Sequence, residues 1–356
     1  GEVYSLLANH SLVTNSNARQ YSSGDSNAKV EQPHVTDESF GSNLIVVGAF
    51  DTTYRNSQTT YCSVGKWDGS DLSKIGEGLC NSGLSFSAMK ITCSAIAGPN
   101  DLFVGGSFQT QVWNGNKHEF VKIFNIAHYN ATNEVWLPLL VGQIGCSWCT
   151  VTILALAWDS ERRQLHVAGK FNAIDGRNIP AGLAVYYQDS GHLVAHPGGG
   201  LAMKNITEDG VGTALQFDQE NGVLYVMGSF ERLTKTNEEC LGLAAYEIKT
   251  GSWTCLADPA HSVQPTGGGN MLLTPYGLLV AGKTTNKTAW PNKSRPYTVA
   301  VLKATIKKKV FFEETSSTEY DDELSGESRE LRDQVNGTRN ETIVVAEADH
   351  EFMWSW

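Results

Sequence analysis

His192 and His196 lie four residues apart, the spacing that places two metal ligands on one face of a helix. Pro197 and Gly198-Gly-Gly200 follow at once, so no helix face holds the pair, and neither histidine is assigned as a ligand. His128 and His166 alternate with apolar residues and read as ordinary strand positions. Cys146-Ser-Trp-Cys149 has C-x-x-C spacing. No strand–helix–strand pattern surrounds it and no second C-x-x-C completes a zinc site, so a structural disulfide is expected. Gly198-Gly-Gly200 and Gly267-Gly-Gly269 lack the Lys-Ser/Thr and the opening helix of a phosphate cradle. Asp68-Gly69 and Asp175-Gly176 are turn dipeptides, without the carboxylate offsets of a calcium loop. No Gly-x-Ser-x-Gly elbow occurs. Paired carboxylates for glycoside hydrolysis leave no linear signature, because their spacing is three-dimensional. No catalytic, cofactor-binding or metal-binding residue is assigned, and no cofactor is expected.

The chemistry this sequence does advertise is modification. Asn-x-Ser/Thr occurs at Asn9, Asn130, Asn205, Asn286, Asn292, Asn336 and Asn340. One sequon says little; seven point to the secretory pathway and to N-linked glycans, and seven cysteines fit the same oxidising compartment. Cys62 with Cys80, and Cys240 with Cys255, each flank one apolar segment and are expected to bridge across it. Each bridge closes a loop of about 15–20 residues, worth on the order of 3 kcal/mol. Cys146 and Cys149 form the third expected pair. Cys93 is left free, paired in another connectivity, or bridged to a partner.

The elements that position these residues repeat. Thr213–Phe217, Gly222–Phe230, Leu241–Ile248 and Gly251–Leu256 are four short apolar segments rich in Val, Tyr, Phe and Trp, punctuated by Asn221-Gly222 and Thr250-Gly251. That is the pattern of a four-stranded meander. Its Gly228-Ser-Phe230 reappears as Gly48-Ala-Phe50, Gly106-Ser-Phe108, Gly169-Lys-Phe171 and, more weakly, Gly282-Lys-Thr284. The glycines are 58, 63, 59 and 54 residues apart. One meander cannot bury both of its faces, so copies must stack, and the expected fold is an all-β propeller of four-stranded blades. A β-sandwich array and a β-solenoid are the alternatives. The repeats occupy about 41–92, 93–150, 151–210, 211–268 and 269–312. Residues 1–40 read as one or two strands followed by loop. Residues 1–15 and 342–356 are expected to build a sixth, composite blade, since an open ring leaves sheet edges unpaired; five blades with the termini added to existing sheets is the alternative. A single domain, 1–312 plus 342–356, then surrounds an acidic, mobile loop at 313–341 that includes Asp321-Asp-Glu323. The apolar C-terminus, with Phe352, Trp354 and Trp356, is also a candidate assembly device.

Composition agrees. Of 356 residues, 41 % are hydrophobic, 18 % are charged and 35 are glycines, which suits a turn-rich β-protein. No apolar run is long enough to span a membrane. The chain begins at Gly1 with no signal-like segment, so a processed or excerpted chain is expected. A net charge of −11 makes nucleic acid a poor partner. In a four-stranded blade, the connections between strands two and three share one face with those between blades. The long loops 51–61, 109–122, 172–181, 231–241 and 283–298 are therefore expected together, with Asn205, Asn286 and Asn292 beside them and Asn130 on the opposite face. Trp148 and Trp290 lie off the repeat pattern and are candidate exposed contact residues.

Val104-Gly-Gly-Ser-Phe108, Ile126-Ala-His-Tyr-Asn130 and Trp136 resemble the repeats of the fungal bud-site-selection cortical marker family, kelch-like propellers on glycosylated surface ectodomains. The resemblance covers about 41–305. It is similar, more distantly, to the propeller of galactose oxidase, whose copper-ligand and Tyr–Cys constellation is not identified in this sequence, so oxidase activity is not carried over. The resemblance implies a non-catalytic extracellular or cell-surface protein that binds other proteins or copies of itself. The alternative is a carbohydrate-binding or carbohydrate-active protein using the loop face.

Trp67, Trp136 and Trp253 sit at or near repeat positions and are expected in the core between blades. Each buries about 150–250 Å², an upper bound of roughly 4–6 kcal/mol. Trp253→Ala is expected to lower the melting temperature and the secreted yield; unchanged folding would place Trp253 at the surface.

Overall fold

The computed structural model describes residues 29–35, 44–53, 60–67, 72–76, 78–79, 90–98, 100–114, 119–139, 143–147, 149–205, 208–256, 264–274, 277–285, 295–303 and 349–351. Five four-stranded antiparallel sheets, each a meander in sequence order, make up most of it. The first is Lys29–Val35, Leu44–Thr53, Thr60–Trp67 and Leu72–Lys74. The second is Lys90–Ile96, Asp101–Asn114, Glu119–Asn130 and Val135–Pro138. The third is Thr152–Asp159, Gln164–Lys170, Leu183–Tyr187 and His192–Ala195. The fourth is Val211–Asp218, Val223–Ser229, Leu243–Glu247 and Ser252–Cys255. The fifth is Gln264–Thr274, Gly277–Thr285, Arg295–Lys303 and Asp349–Glu351. Among the described residues there is no helix, and so none long and apolar enough to cross a membrane.

Alternation along each second strand sends neighbouring side chains to opposite faces, and each face is buried against a different sheet. Leu102 and Val104 pack with Ile45, Val47 and Val64 of the first sheet. Phe103, between them, packs with Ile153 and Leu165 of the third. The core is thus a series of inter-sheet layers, continued by Leu183 with Val226 and by Tyr225 with Val280. The first strands stack in the same order, first sheet on second through to fourth on fifth. Among the described residues no comparable packing returns from the fifth sheet to the first.

The recurrent Gly-x-Phe has a backbone cause. In the second, third and fourth sheets the first strand carries a β-bulge, at Ile91/Cys93, Ile153/Ala155 and Gly212/Ala214. The motif's glycine pairs beside it. A Cβ on Gly106 would stand 2.0 Å from the Lys90 carbonyl oxygen; on Gly169, 2.2 Å from that of Thr152; on Gly228, 2.0 Å from that of Val211. Only glycine allows that approach. The motif's aromatic, Phe108, Phe171 or Phe230, is buried in an inter-sheet layer. In the first sheet a bulge follows Val30, which pairs with Gly48.

A second recurrent device ties one sheet to the next. Trp136 pairs with Tyr129 across the second sheet, and its Nε1–H donates to the Ile75 carbonyl beyond the first sheet (3.1 Å). Trp253 pairs with Tyr246 across the fourth, and its Nε1–H donates to the Gly198 carbonyl beyond the third (2.7 Å). Both Trp side chains are buried, whereas Trp67 is half-buried. The Tyr–Trp pair grips a glycine that cannot be replaced: a Cβ on Gly76 would stand 2.7 Å from Tyr129 Cε2, and on Gly198 2.7 Å from both Tyr246 Cε2 and Trp253 Nε1. In the third sheet Leu193 stands opposite Tyr186 in place of a Trp.

Three expectations change. Lys29–Val35, read as loop, is the first strand of the first sheet, with Pro33 tolerated because an edge strand pairs on one side only. Residues 109–122, expected as a loop, are mostly paired strand, from Gln109↔Phe124 to Asn114↔Glu119. Asp349–Glu351 is the fourth strand of the fifth sheet, paired with Val301–Lys303, and not part of a separate sixth sheet. The partner expected for it, residues 1–15, lies outside the described residues, as do the acidic segment 313–341 and Phe352, Trp354 and Trp356.

Gly228→Ala is expected to cost about 1–3 kcal/mol or more in denaturant unfolding. Ser229→Ala, one residue on, is expected to stay within about 0.5 kcal/mol. Equal effects of the two would contradict the bulge-contact account.

Candidate interaction surface

The connections between sheets and the hairpins between second and third strands meet at one end of the stack. Ile144–Gly145, ahead of the third sheet, pairs with Ala173–Ile174, which pairs with Arg177–Asn178. Leu201–Ala202, ahead of the fourth, pairs with Arg232–Leu233, which pairs with Glu238–Glu239. Two expected loops, 172–181 and 231–241, are therefore small sheets. Polar side chains fix them. Asn172 Nδ2 donates to Asp209 (2.8 Å), Asn172 Oδ1 accepts from the Ser147 amide (3.1 Å), and Asp175 Oδ1 accepts from the Gln143 amide (2.7 Å). Disulfides Cys146–Cys149 and Cys240–Cys255 close the same end, with Cα atoms 5.3 and 5.4 Å apart. Cys62 and Cys80 lie outside the described side chains. Cys93 is a free thiol buried against the third sheet, and burial pushes its pKa up to about 12, so it stays protonated at neutral pH.

From this framework the second sheet extends a ribbon, the paired ends of Asp101–Asn114 and Glu119–Asn130. Its two faces differ. Thr110, Val112 and Ile123 are buried, so the ribbon is pinned to the body. Gln111, Trp113, Phe120 and Lys122 alternate with them and are exposed. Trp113 and Phe120 are 47 % and 66 % exposed, pair across the ribbon and meet edge to face at 5.2 Å. Two aromatic rings held in water on a rigid ribbon, beside an amide and an ammonium, suit contact with another surface or with a polyhydroxyl ligand. Trp148 and Trp290, the contact residues expected from sequence, lie outside the described residues. Trp113 and Phe120 fall within 109–122, expected as a loop; Gln109, Gln111 and Lys122 alternating with Thr110, Val112 and Ile123 are the strand signal in that stretch.

The opposite end carries a different polar cluster. Asp101 Oδ1 meets His128 Nε2 at 2.6 Å and accepts from Asn130 Nδ2 at 3.2 Å, while Asp101 Oδ2 accepts from Gln188 of the third sheet at 3.5 Å. His128 also stacks on Phe103, with ring centroids 4.5 Å apart. The sequon residue Asn130 is half-buried and uses its amide to tie the hairpin, its Oδ1 accepting from the Asn133 amide (3.0 Å). Asn205 is exposed in the connection between the third and fourth sheets. Asn9, Asn286, Asn292, Asn336 and Asn340 lie outside the described residues. His192 is exposed and His196 buried. Among the described residues no group of three or more His, Cys, Asp and Glu is placed to hold a metal ion.

No family model and no curated protein matches the chain. Among solved structures it is similar to the extracellular domain of a putative hybrid two-component system from B. thetaiotaomicron, at 14 % identity and a TM-score of 0.42. That match covers 78 % of this chain and 26 % of the other, so the chain spans about a quarter of the length of that neighbour.

The ribbon's two faces predict opposite mutational outcomes. Trp113→Ser with Phe120→Ser is expected to change unfolding free energy by less than about 1 kcal/mol. Ile123→Ala, on the pinned face, is expected to cost about 2–5 kcal/mol. A large loss in the first variant would make the two rings structural.

Proposed function

We propose that this chain is a non-catalytic, extracellular or cell-surface glycoprotein, and that its stacked sheets close into a β-propeller serving as a protein-interaction or assembly module. The observation that carries the reading is the ribbon of the second sheet, which holds Trp113 and Phe120 in solvent on a backbone pinned by Val112 and Ile123. Exposed aromatics on a rigid support lose little conformational entropy on binding, which is the economy of an interface anchor. The disulfides Cys146–Cys149 and Cys240–Cys255, together with the seven sequons, support passage through an oxidising compartment. The repeat motifs' resemblance to the fungal bud-site-selection cortical markers supports the same reading, with the five four-stranded sheets as the blades.

Light scattering of the intact chain tests the assembly form. Association that grows with concentration and vanishes in the Trp113→Ser/Phe120→Ser variant is the expected result. Single particles at every concentration for both proteins would remove self-assembly and leave binding to other proteins.

A second reading, carbohydrate binding, is favoured by Gln111 and Lys122 on the face that carries the two rings. A glycan array with no hit would rule out the lectin form.

A further inference from the structure

His166 occupies, in the third sheet, the place that Phe103 occupies in the second. Each follows a buried leucine of the second strand, Leu165 or Leu102. Each stacks on the penultimate side chain of the next sheet's first strand: Phe103 on Trp158 at 5.8 Å and 23°, His166 on Phe217 at 5.5 Å and 16°. An imidazole has thus replaced a phenyl ring at an apolar inter-sheet position. His166 is 1 % exposed, and among the described residues neither of its ring nitrogens has a hydrogen-bond partner. Its neighbour is a second imidazole, His196, 3 % exposed, with ring centroids 5.6 Å apart. Among the described residues His196 Nε2 is also without a partner, while its Nδ1 accepts from the Gly198 amide at 3.1 Å.

His196 lies against the Tyr–Trp clamp of the fourth sheet, at 4.8 Å from the Tyr246 ring and 5.9 Å from the Trp253 ring. Gly198, which it orients, gives its carbonyl to Trp253 Nε1. We propose that His166 and His196 form an acid-operated latch between the third and fourth sheets, in which proton uptake by the pair releases the clamp and lets the two sheets part.

Protonation acts in two ways. A proton on His196 Nδ1 turns the acceptor of the Gly198 amide into a donor facing a donor. A charge on either ring is buried among apolar groups beside another imidazole, with repulsion added. The charged groups around the pair do not relieve it. Arg162 acts on His166, and Lys235 acts on His196, both against the cation. Tyr246, on the adjoining strand, is a phenol whose pKa burial pushes further up, so it carries no charge in the range concerned. Asp159 is occupied by the amides of Glu161 and Arg162 and by the Arg162 guanidinium, and Asp218 by the amides of Glu220 and Asn221 and the Asn221 side chain. Burial accordingly pushes His166 down to about 3 and His196 well below its ordinary value. Both folded values lie below the unfolded value of about 6.5, so the unfolded chain binds more protons. The interface's stability is complete above about pH 6.5 and falls as the pH drops from there toward about 3.

The test is denaturant unfolding of the intact chain, followed by tryptophan fluorescence, at about pH 7, 6 and 5, above most carboxylate titration. The wild type is expected to lose stability on acidification, by up to about tenfold in the unfolding equilibrium per pH unit for each imidazole. His166→Phe with His196→Asn copies the phenyl ring of the second sheet and keeps an acceptor for Gly198; it is expected to flatten that dependence. The same dependence in wild type and variant would overturn the latch. Imidazole resonances of the wild-type protein give a reading that needs no variant to fold. Both rings are expected to stay neutral in the native state throughout this window, and native titration near pH 6.5 would overturn the latch.

Discussion

At Gly106, Gly169 and Gly228 the second strand of a sheet lies so near the bulged first strand that a Cβ would stand 2.0 to 2.2 Å from a backbone oxygen. This approach is what the rest of the structure depends on. It lets the bulge bend the first strand without opening the ladder, and it delivers Phe108, Phe171 and Phe230 into the layers between sheets. The Tyr–Trp clamp then fastens one sheet's edge strand to the exit of the sheet before it. Both devices need a glycine against a fixed surface, the bulge contact in the second, third and fourth sheets and the clamp in the second and fourth. The 35 glycines of the chain are in part the consequence.

The interfaces are not copies of one another. The first-to-second and third-to-fourth interfaces carry the Trp–carbonyl bond, from Trp136 and Trp253. At the second-to-third interface Leu193 stands where a Trp would, and Phe103, Trp158 and Tyr186 fill the layer, with Gln188 reaching Asp101 across it. The third-to-fourth interface adds the two imidazoles. A repeat fold tolerates such exchanges because each layer meets only its neighbours, so one layer can be made pH-dependent without altering the next.

The meanders were legible in the sequence because Gly-x-Phe reports a backbone geometry shared by the second, third and fourth sheets. Trp136 and Trp253 were legible as core for the same reason. Lys29–Val35 was not, since its polar pattern and Pro33 match a loop and only pairing with Leu44–Ala49 makes it a strand. The ribbon was hidden by its composition: polar Thr110 on the buried face and apolar Trp113 and Phe120 on the exposed face blur the alternation that buries Val112 and Ile123. The histidine pair was hidden for another reason. His166 and His196 are 30 residues apart and meet only when the third sheet's exit turn folds back beneath the clamp of the fourth. The spacing of His196 to His192 carries no information about His166, the ring it meets.

The proposed closure of the bulged, glycine-pinned sheets into a ring is tested most directly by electron imaging of single molecules. A disc with an axial channel and five radial densities is the expected result. An open arc, or an elongated stack with no channel, would contradict it.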